Sequence, residues 1–492
     1  MNNQQIECML RERIIPFPQN FTLDGDGLFK LCNGAKITLN IPEEARPMAA
    51  RLLAKYWYVT AANLAYGDSP AEIPEEGYRL IASKDTLTIS ASTINGTRHA
   101  FRTCRMLAEP ERGTSCISGT WLLPEVHIDD APALPFRGLH LCVFPENRFA
   151  EMEKKIRMAA YLKFNTVVIE FWGTFPFQSH PELCWSEYSG TRAQWASLIK
   201  EMREEEGLVM VPQFNILGHA ANSRGGTGQH VILNQHPEMA PLFEPDGWCW
   251  CITNPNAIRL LEDAVCEMHD FFGRPPYFHI GFDEAHSVAV CAECRKHKLS
   301  DLLRDHIRHF HDLLASRGAQ AIMWHDMLLN RSDKRWEYYC AHGRDFQHLE
   351  NLYKELPKDI VMAVWEYGYS YHLLPGPPTY PTTRFFADNG FPTLVCPWRK
   401  VDVIHSSAKL AEERKLLGIL ETTWHIFYGH EMPCMFFETA QAAWGISDSP
   451  KYAQETFATA WRAVVKDMGL TDYQDLGYSD HQIIPSTYGS LG

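Results

Sequence analysis

Beyond about residue 133 the chain alternates between two rhythms. Short runs in which almost every residue is apolar are separated by longer stretches with apolar residues at i, i+3 and i+4. The first kind reads as buried parallel strands: Phe136–Val143, Thr166–Phe171, Leu208–Leu217, Tyr277–Asp283, Ala319–Asp326, Ile360–Tyr367, Thr393–Trp398 and Ile419–Trp424. The second predicts amphipathic helices at Glu151–Leu162, Arg192–Glu206, Ile258–Phe272, Leu299–Arg317, Phe346–Leu356 and Ala408–Leu417. Eight strands, each followed by a crossover, are the number that closes a (β/α)8 TIM barrel. The rival α/β arrangement, a doubly wound open sheet, usually has fewer strands and a glycine-rich first turn, which is absent.

Residues 1–130 carry a different pattern, that of a small α+β domain. Ala35–Asn40 alternates as a strand, Glu43–Tyr66 predicts one long helix, and Gly77–Ala82 with Thr86–Ser90 predicts a hairpin. A second helix is expected from about Thr97, and Trp121–Ile128 reads as a closing strand. The proline-bearing link Asp129–Pro135 leads into the barrel, expected over 131–448. The remainder, 449–492, is expected to add a helix at Tyr452–Met468 and an irregular tail packed on the barrel. Pro375–Pro378 is the one low-complexity stretch.

Charge and cysteine usage narrow the class. The net charge of −14 is spread along the chain without a basic stripe, which argues against nucleic acid and anionic membranes as partners. The polar start, Met1–Glu12, has no signal-peptide core, and no apolar run is long enough to span a bilayer, so a cytoplasmic protein is expected. A homo-oligomer is left open. Cys291 and Cys294 stand in a Cys-x-x-Cys spacing near His297, and the fold could bring Cys249 or Cys251 close. No second pair stands at a partner spacing, so the thiols read as reduced and inert. No metal and no cofactor is expected, and EDTA is expected to leave activity unchanged.

In a barrel the chemistry sits at the C-terminal ends of the strands. Those ends offer Glu170 on the second strand, Asn215 and His219 after the third, Asp283 and Glu284 on the fourth, and Trp324 and Asp326 on the fifth. The sixth gives Trp365, Glu366 and Tyr367, the seventh Trp398, and the eighth Trp424 and His425; Arg137 stands near the first. Acids and tryptophan walls in one mouth are the composition of a saccharide site.

The run His279-Ile-Gly281-Phe-Asp283-Glu284 resembles the His-x-Gly-x-Asp-Glu signature of glycoside hydrolase family 20, the β-N-acetylhexosaminidases. Arg137-Gly138, Lys163-Phe-Asn165, Gly218-His219 and Ile322-Met-Trp324-His-Asp326 resemble that family's motifs in the same order. Glu170-Phe171 and Trp365-Glu366-Tyr367 look closer to its hexosaminidase D-like branch. Four positions depart from the pattern. Phe282 stands where many members have Gly, Trp172-Gly173 where the branch has acids, and Ile426 where many members have Glu.

The resemblance implies a substrate-assisted, exo-acting retaining hydrolase for a terminal β-linked N-acetylhexosamine. The sugar's own acetamido oxygen would be the nucleophile, which suits two acids adjacent in sequence. Ordinary retaining pairs lie ~5–5.5 Å apart across the sugar, a span neighbours in a strand straddle poorly. Glu284 would be the general acid/base, with a raised pKa, and Asp283 would stay ionised against the oxazolinium. Tyr367 would donate to the acetamido oxygen, Trp324 and Trp365 would wall its pocket, and Trp424 would stack under the ring. Arg137 would clamp ring hydroxyls and His219 would orient Glu284, while Glu170 and Asp326 would touch hydroxyls or hold other site residues; Trp398 reads as core. The alternatives are a β-glycosidase with Glu170 or Glu366 as nucleophile, a silent glycan-binding barrel, or a metal-dependent barrel hydrolase. The last is disfavoured by the scatter of His and Asp.

Overall fold

A computed structural model of the chain describes residues 3–111, 119–145, 147–184, 188–221, 231–336, 342–343, 349–367, 379–424, 431–445 and 457–470. Two sheets organise it. The N-terminal sheet contains β1 (Asn20–Leu31), β2 (Lys36–Asn40), β3 (Asn63–Tyr66), β4 (Tyr78–Ala82), β5 (Thr86–Ser90), β6 (Glu109–Pro110) and β7 (Trp121–Asp130). Its order is β1-β7-β4-β5-β2-β3, with β6 on β7. The predicted hairpin is present, β4 pairing antiparallel to β5.

One expectation here is corrected, and one strand is added. The long helix stops early: Arg46–Trp57 is helical, Tyr58 takes a left-handed cap at φ 58°, and the chain returns as β3 beside β2. The aromatic, β-branched run Tyr56–Thr60 is a poor helix former, and the cap turns the chain back onto the sheet. Strand β1 has no counterpart among the expected elements, its course being interrupted at Asp24-Gly-Asp-Gly27. Those residues form an irregularity between Leu23 and Leu28, where Glu125 of β7 lies against both glycines. Strand β7 is interior to the sheet, between β1 and β4.

The eight predicted barrel strands form a closed, all-parallel barrel of β8 (Phe136–Val143), β9 (Thr166–Phe171), β10 (Val209–Gln213), β11 (Tyr277–His279), β12 (Gln320–Trp324), β13 (Val361–Val364), β14 (Thr393–Val395) and β15 (Gly418–Thr422). Helices at Phe149–Tyr161, Arg192–Glu201, Pro255–Phe271, Leu299–Ser316 and Val401–Glu413 match predicted ones. Arg192–Glu201 continues as a wider π turn, Met202–Glu206. The Phe346–Leu356 segment is a 3-10 turn over Leu349–Glu355, its first residues lying outside the described residues. The terminal helix is described over Phe457–Met468, where Asp467 accepts from the Tyr161 hydroxyl at 2.6 Å. Pro375–Pro378 lies outside the described residues.

Strand side chains alternate, and the alternation decides which polar residues face the barrel interior. Phe136, Val168, Val211, Ile322, Trp324, Val361, Ala363, Trp365, Tyr367, Leu394 and Leu420 pack there as one cluster. In phase with them along their strands stand His140, Glu170 and Gln213. Arg137 and Glu366 are out of phase.

Candidate active site

The adjacent acids sit in a tight, strained turn after β11. Gly281, Phe282 and Glu284 have φ of 67°, 89° and 45°, and His219 and Trp424 adopt 50° and 45°. For side-chain-bearing residues these are costly conformations, on the order of 1–3 kcal/mol each, which cluster at functional sites. Phe282 therefore occupies a left-handed position suited to glycine, held by complete burial of its ring. Gly218 has a steric reason: a Cβ there would lie 2.4 Å from the Asp283 carbonyl oxygen.

His219 joins the two acids. Its Nε2 lies 3.3 Å from Asp283 Oδ2 and 3.5 Å from Glu284 Oε2. The backbone N–H of Glu284 donates to Asp326 Oδ2 at 2.9 Å, and His342 Nδ1 lies 2.9 Å from the same oxygen. Asp326 thus fixes the turn that carries Glu284. Trp248 donates through Nε1 to the Glu284 carbonyl at 2.7 Å and lays its ring 4.6 Å from that of His219. The other oxygen of Asp283, Oδ1, is buried and makes no hydrogen bond.

Electrostatics divide the pair in an order opposite to expectation. Burial holds the Asp283 carboxyl up at about 6, although the His219 charge pulls it down. Burial also raises Glu284, but the hydrogen bond and charge of His219 outweigh it and bring that group down to about 2. The same two carboxylates hold His219 protonated well above the usual histidine range, against its burial. The expected raised pKa of Glu284 is therefore absent from the free site, because His219 carries the proton.

Around the acids stands an aromatic wall. Trp324 is fully buried, with Trp424 at 5.4 Å and His279 at 4.4 Å between ring centroids. Trp365 stacks on Tyr367 at 5.4 Å, and Trp424 Nε1 donates to the Tyr367 hydroxyl at 2.7 Å. Trp398, read as core, is partly exposed and meets Tyr367 at 5.3 Å. The indole N–H groups of Trp324 and Trp365 are buried without acceptors. Glu170 lies deeper: Asn215 donates to it at 2.7 Å, His140 lies 3.2 Å away, and the Cys142 thiol contacts it at 3.5 Å.

Two residues lie elsewhere than expected. Arg137 is not at the mouth. It is the second residue of β8, ~20 Å from the far end at ~3.3 Å per residue, and points out of the barrel. Its guanidinium donates twice to Glu76 at 2.8 Å and to the carbonyls of Leu134 and Lys163, so its role as a sugar clamp is withdrawn. Glu366 also points outwards, accepting from Thr382 and Thr383 at the start of the helix Pro381–Asp388. Trp248, His342 and His140 were missed. His140 was recoverable from its phase with Phe136 and Gly138; Trp248 and His342 arrive from loops that carry no periodic signal. His425 and Ile426 lie outside the described residues.

A closed parallel barrel that gathers an acid pair, a bridging histidine and tryptophan walls at one mouth defines the class, a glycoside hydrolase barrel. Two family models match this chain, glycosyl hydrolase family 20, domain 2, over residues 11–131, and glycosyl hydrolase family 20, catalytic domain, over residues 186–378. The chain belongs to glycoside hydrolase family 20. It is 22% identical over 326 residues to a beta-hexosaminidase of Emericella nidulans, covering 60% of this chain and 49% of that protein. It is also 22% identical over 350 residues to beta-hexosaminidase subunit A2 of Dictyostelium discoideum, covering 64% and 62%. The chain thus spans about half to three-fifths of these relatives' length. The fold superimposes on a family 20 exo-β-N-acetylglucosaminidase of Vibrio harveyi solved with N-acetylglucosamine (TM-score 0.69, 16% identity, 95% of this chain and 78% of that one). A β-N-acetylhexosaminidase of Bacteroides fragilis superimposes with TM-score 0.67, 17% identity and coverage of 95% and 96%.

Proposed function

We propose that the protein is an exo-acting retaining β-N-acetylhexosaminidase that uses the acetamido oxygen of its substrate as nucleophile. The observation that carries this reading is Asp283 Oδ1, a buried carboxylate oxygen without a hydrogen bond, next to the acid Glu284. An acetamido N–H would satisfy it, and the ionised carboxylate would then stabilise the positive oxazolinium ring as it forms. Tyr367, oriented by accepting from Trp424, would donate to the acetamido oxygen, with Trp324 and Trp365 enclosing the methyl group and Trp424 under the ring.

The charge pattern of the free site suits this sequence of events. His219 Nε2 lies 3.5 Å from Glu284 Oε2, so covering Glu284 with the departing sugar would draw the imidazolium proton across. Glu284 would then protonate the leaving oxygen and later accept a proton from water. The rival with an enzymic nucleophile is weaker, because Glu170 is held by Asn215 and His140, and Glu366 faces out of the barrel.

The division 1–130, 131–448 and 449–492 is offered as the domain organisation, and the cytoplasm as the compartment. Among the described residues no helix is long and apolar enough to cross a membrane. A panel of nitrophenyl β-glycosides tests the proposal. The N-acetylglucosaminide or N-acetylgalactosaminide should be cleaved and the plain glucoside spared; the reverse preference would reject it.

A further inference from the structure

Three cysteines and a glutamate converge beside the catalytic turn. An isolated antiparallel bridge between Phe243 and Trp250, with the Cys251 N–H donating to the Leu242 carbonyl at 2.9 Å, brings the segments that carry Glu244 and Cys251 together. The loop that follows Glu284 then brings Cys291 and Cys294 against them. Cys251 Sγ lies 3.7 Å from Cys291 Sγ and 3.8 Å from Cys294 Sγ, and the three sulfurs and one Glu244 oxygen all lie within 4.8 Å of one another. We propose that Cys251, Cys291, Cys294 and Glu244 form a tetrahedral site for a structural zinc ion.

The spacing matches the ion. Zinc–sulfur bonds of ~2.3 Å place tetrahedral sulfurs about 3.8 Å apart, the separation found here. Thiols in ordinary contact reach a similar distance, so the spacing alone would not decide. The carboxylate does. Glu244 is 1% exposed, and among the described residues no lysine, arginine or histidine pairs with it. Its Oε2 accepts from the backbone N–H groups of Val290 and Cys291 at 3.0 and 2.6 Å, while its Oε1 is buried with only the neighbouring Cys294 thiol to meet the carboxylate. A buried carboxylate so placed is costly unless a cation completes it.

The surroundings are those of metal ligands rather than of idle thiols. The Cys294 N–H donates to Cys291 Sγ at 3.3 Å, and Thr253 Oγ1 lies 3.1 Å from Cys294 Sγ, contacts that orient thiolates and spread their charge. Cys249, the other candidate, stands apart and accepts from Ser287. The reading of inert thiols from the sequence is reversed because two ligands stand 40 or more positions from the Cys-x-x-Cys pair, out of reach of any spacing rule.

The two joined segments carry parts of the active site. One holds Trp248, bonded to the Glu284 carbonyl and packed on His219; the other begins with Glu284 itself. The ion acts by position, tying the wall to the acid's turn, and takes no part in the chemistry.

Elemental analysis of full-length protein, made without a polyhistidine tag, tests this. About one zinc per chain is expected, and Cys291→Ser and Cys294→Ser should retain little of it. Cobalt exchanged into the wild type should show the intense visible bands and near-ultraviolet thiolate charge transfer of a tetrahedral thiolate site. Because a cysteine variant can fail to fold, the wild type is also stripped with a strong chelator. Tm should fall, and zinc but not magnesium should restore it. A folded, metal-free wild type whose thiols react at once with a thiol reagent, or one holding iron, overturns the assignment.

Discussion

Side-chain phase along a strand separates the residues that face the chemistry from those that do not. Asp283 and Glu284 are neighbours, yet strain in the turn brings both to His219, which no alternation rule predicts. Two consequences follow for activity. Glu284→Gln should lose kcat mainly on substrates with poor leaving groups and spare activated aryl glycosides, since these need little protonation; equal loss across leaving groups would remove Glu284 as the acid. In the proposed mechanism Asp283 acts as the carboxylate, and burial raises its pKa to about 6. It takes up a proton as pH falls through that value, so kcat/KM should drop about tenfold per pH unit below about 6 and level off above it. His219→Gln removes the charge that lowers Asp283, so the acid limb should move to higher pH. A limb left in place would mean that His219 does not set this titration.

At the level of elements, the loop after β10 packs tightly on the turn after β11. Gly218→Ala would press a Cβ to 2.4 Å from the Asp283 carbonyl, and that backbone must shift. A displacement of ~1 Å can cost about 10²-fold in rate. The variant should therefore keep its circular dichroism spectrum and lose kcat/KM on that order; full activity would show the turn to be pliable. Elements with an unbroken period were legible in the chain: all eight barrel strands, and most helices between them. Those that failed had their local signal overruled. The aromatic run after Trp57 could not extend a helix once Tyr58 turned left-handed, and β1 hid behind two glycines that lie against Glu125. The candidate site was legible where it lies on strand ends. It was not where loops supply it, as with Trp248, His342 and the ligands Glu244 and Cys251, since chain closure over dozens of residues leaves no local pattern.

Across the whole molecule, Arg137 joins the two halves of the structure. Glu76 just before β4, Arg137 on β8 and Trp444 beyond the barrel meet there, the Arg137 guanidinium lying 5.2 Å from the Trp444 ring centre. Burial raises Glu76, but the hydrogen bond with His99 and then the ion pair with Arg137 outweigh it and hold that carboxyl well below the usual range. Arg137→Ala would leave that carboxylate buried with its ion-pair partner gone, a loss of about 3–5 kcal/mol. Denaturant unfolding should show the loss while KM stays unchanged; a raised KM with full stability would restore Arg137 to the sugar. If the substrate supplies its own nucleophile, a thiazoline analogue of the oxazolinium intermediate should inhibit strongly, and its inhibition constant is the measurement to make. A transition-state mimic should bind ~10²-fold or more tighter than substrate, and Asp283→Asn should weaken that binding. A thiazoline that fails to inhibit an enzyme cleaving the plain β-glucoside as fast as the N-acetylglucosaminide would contradict the account.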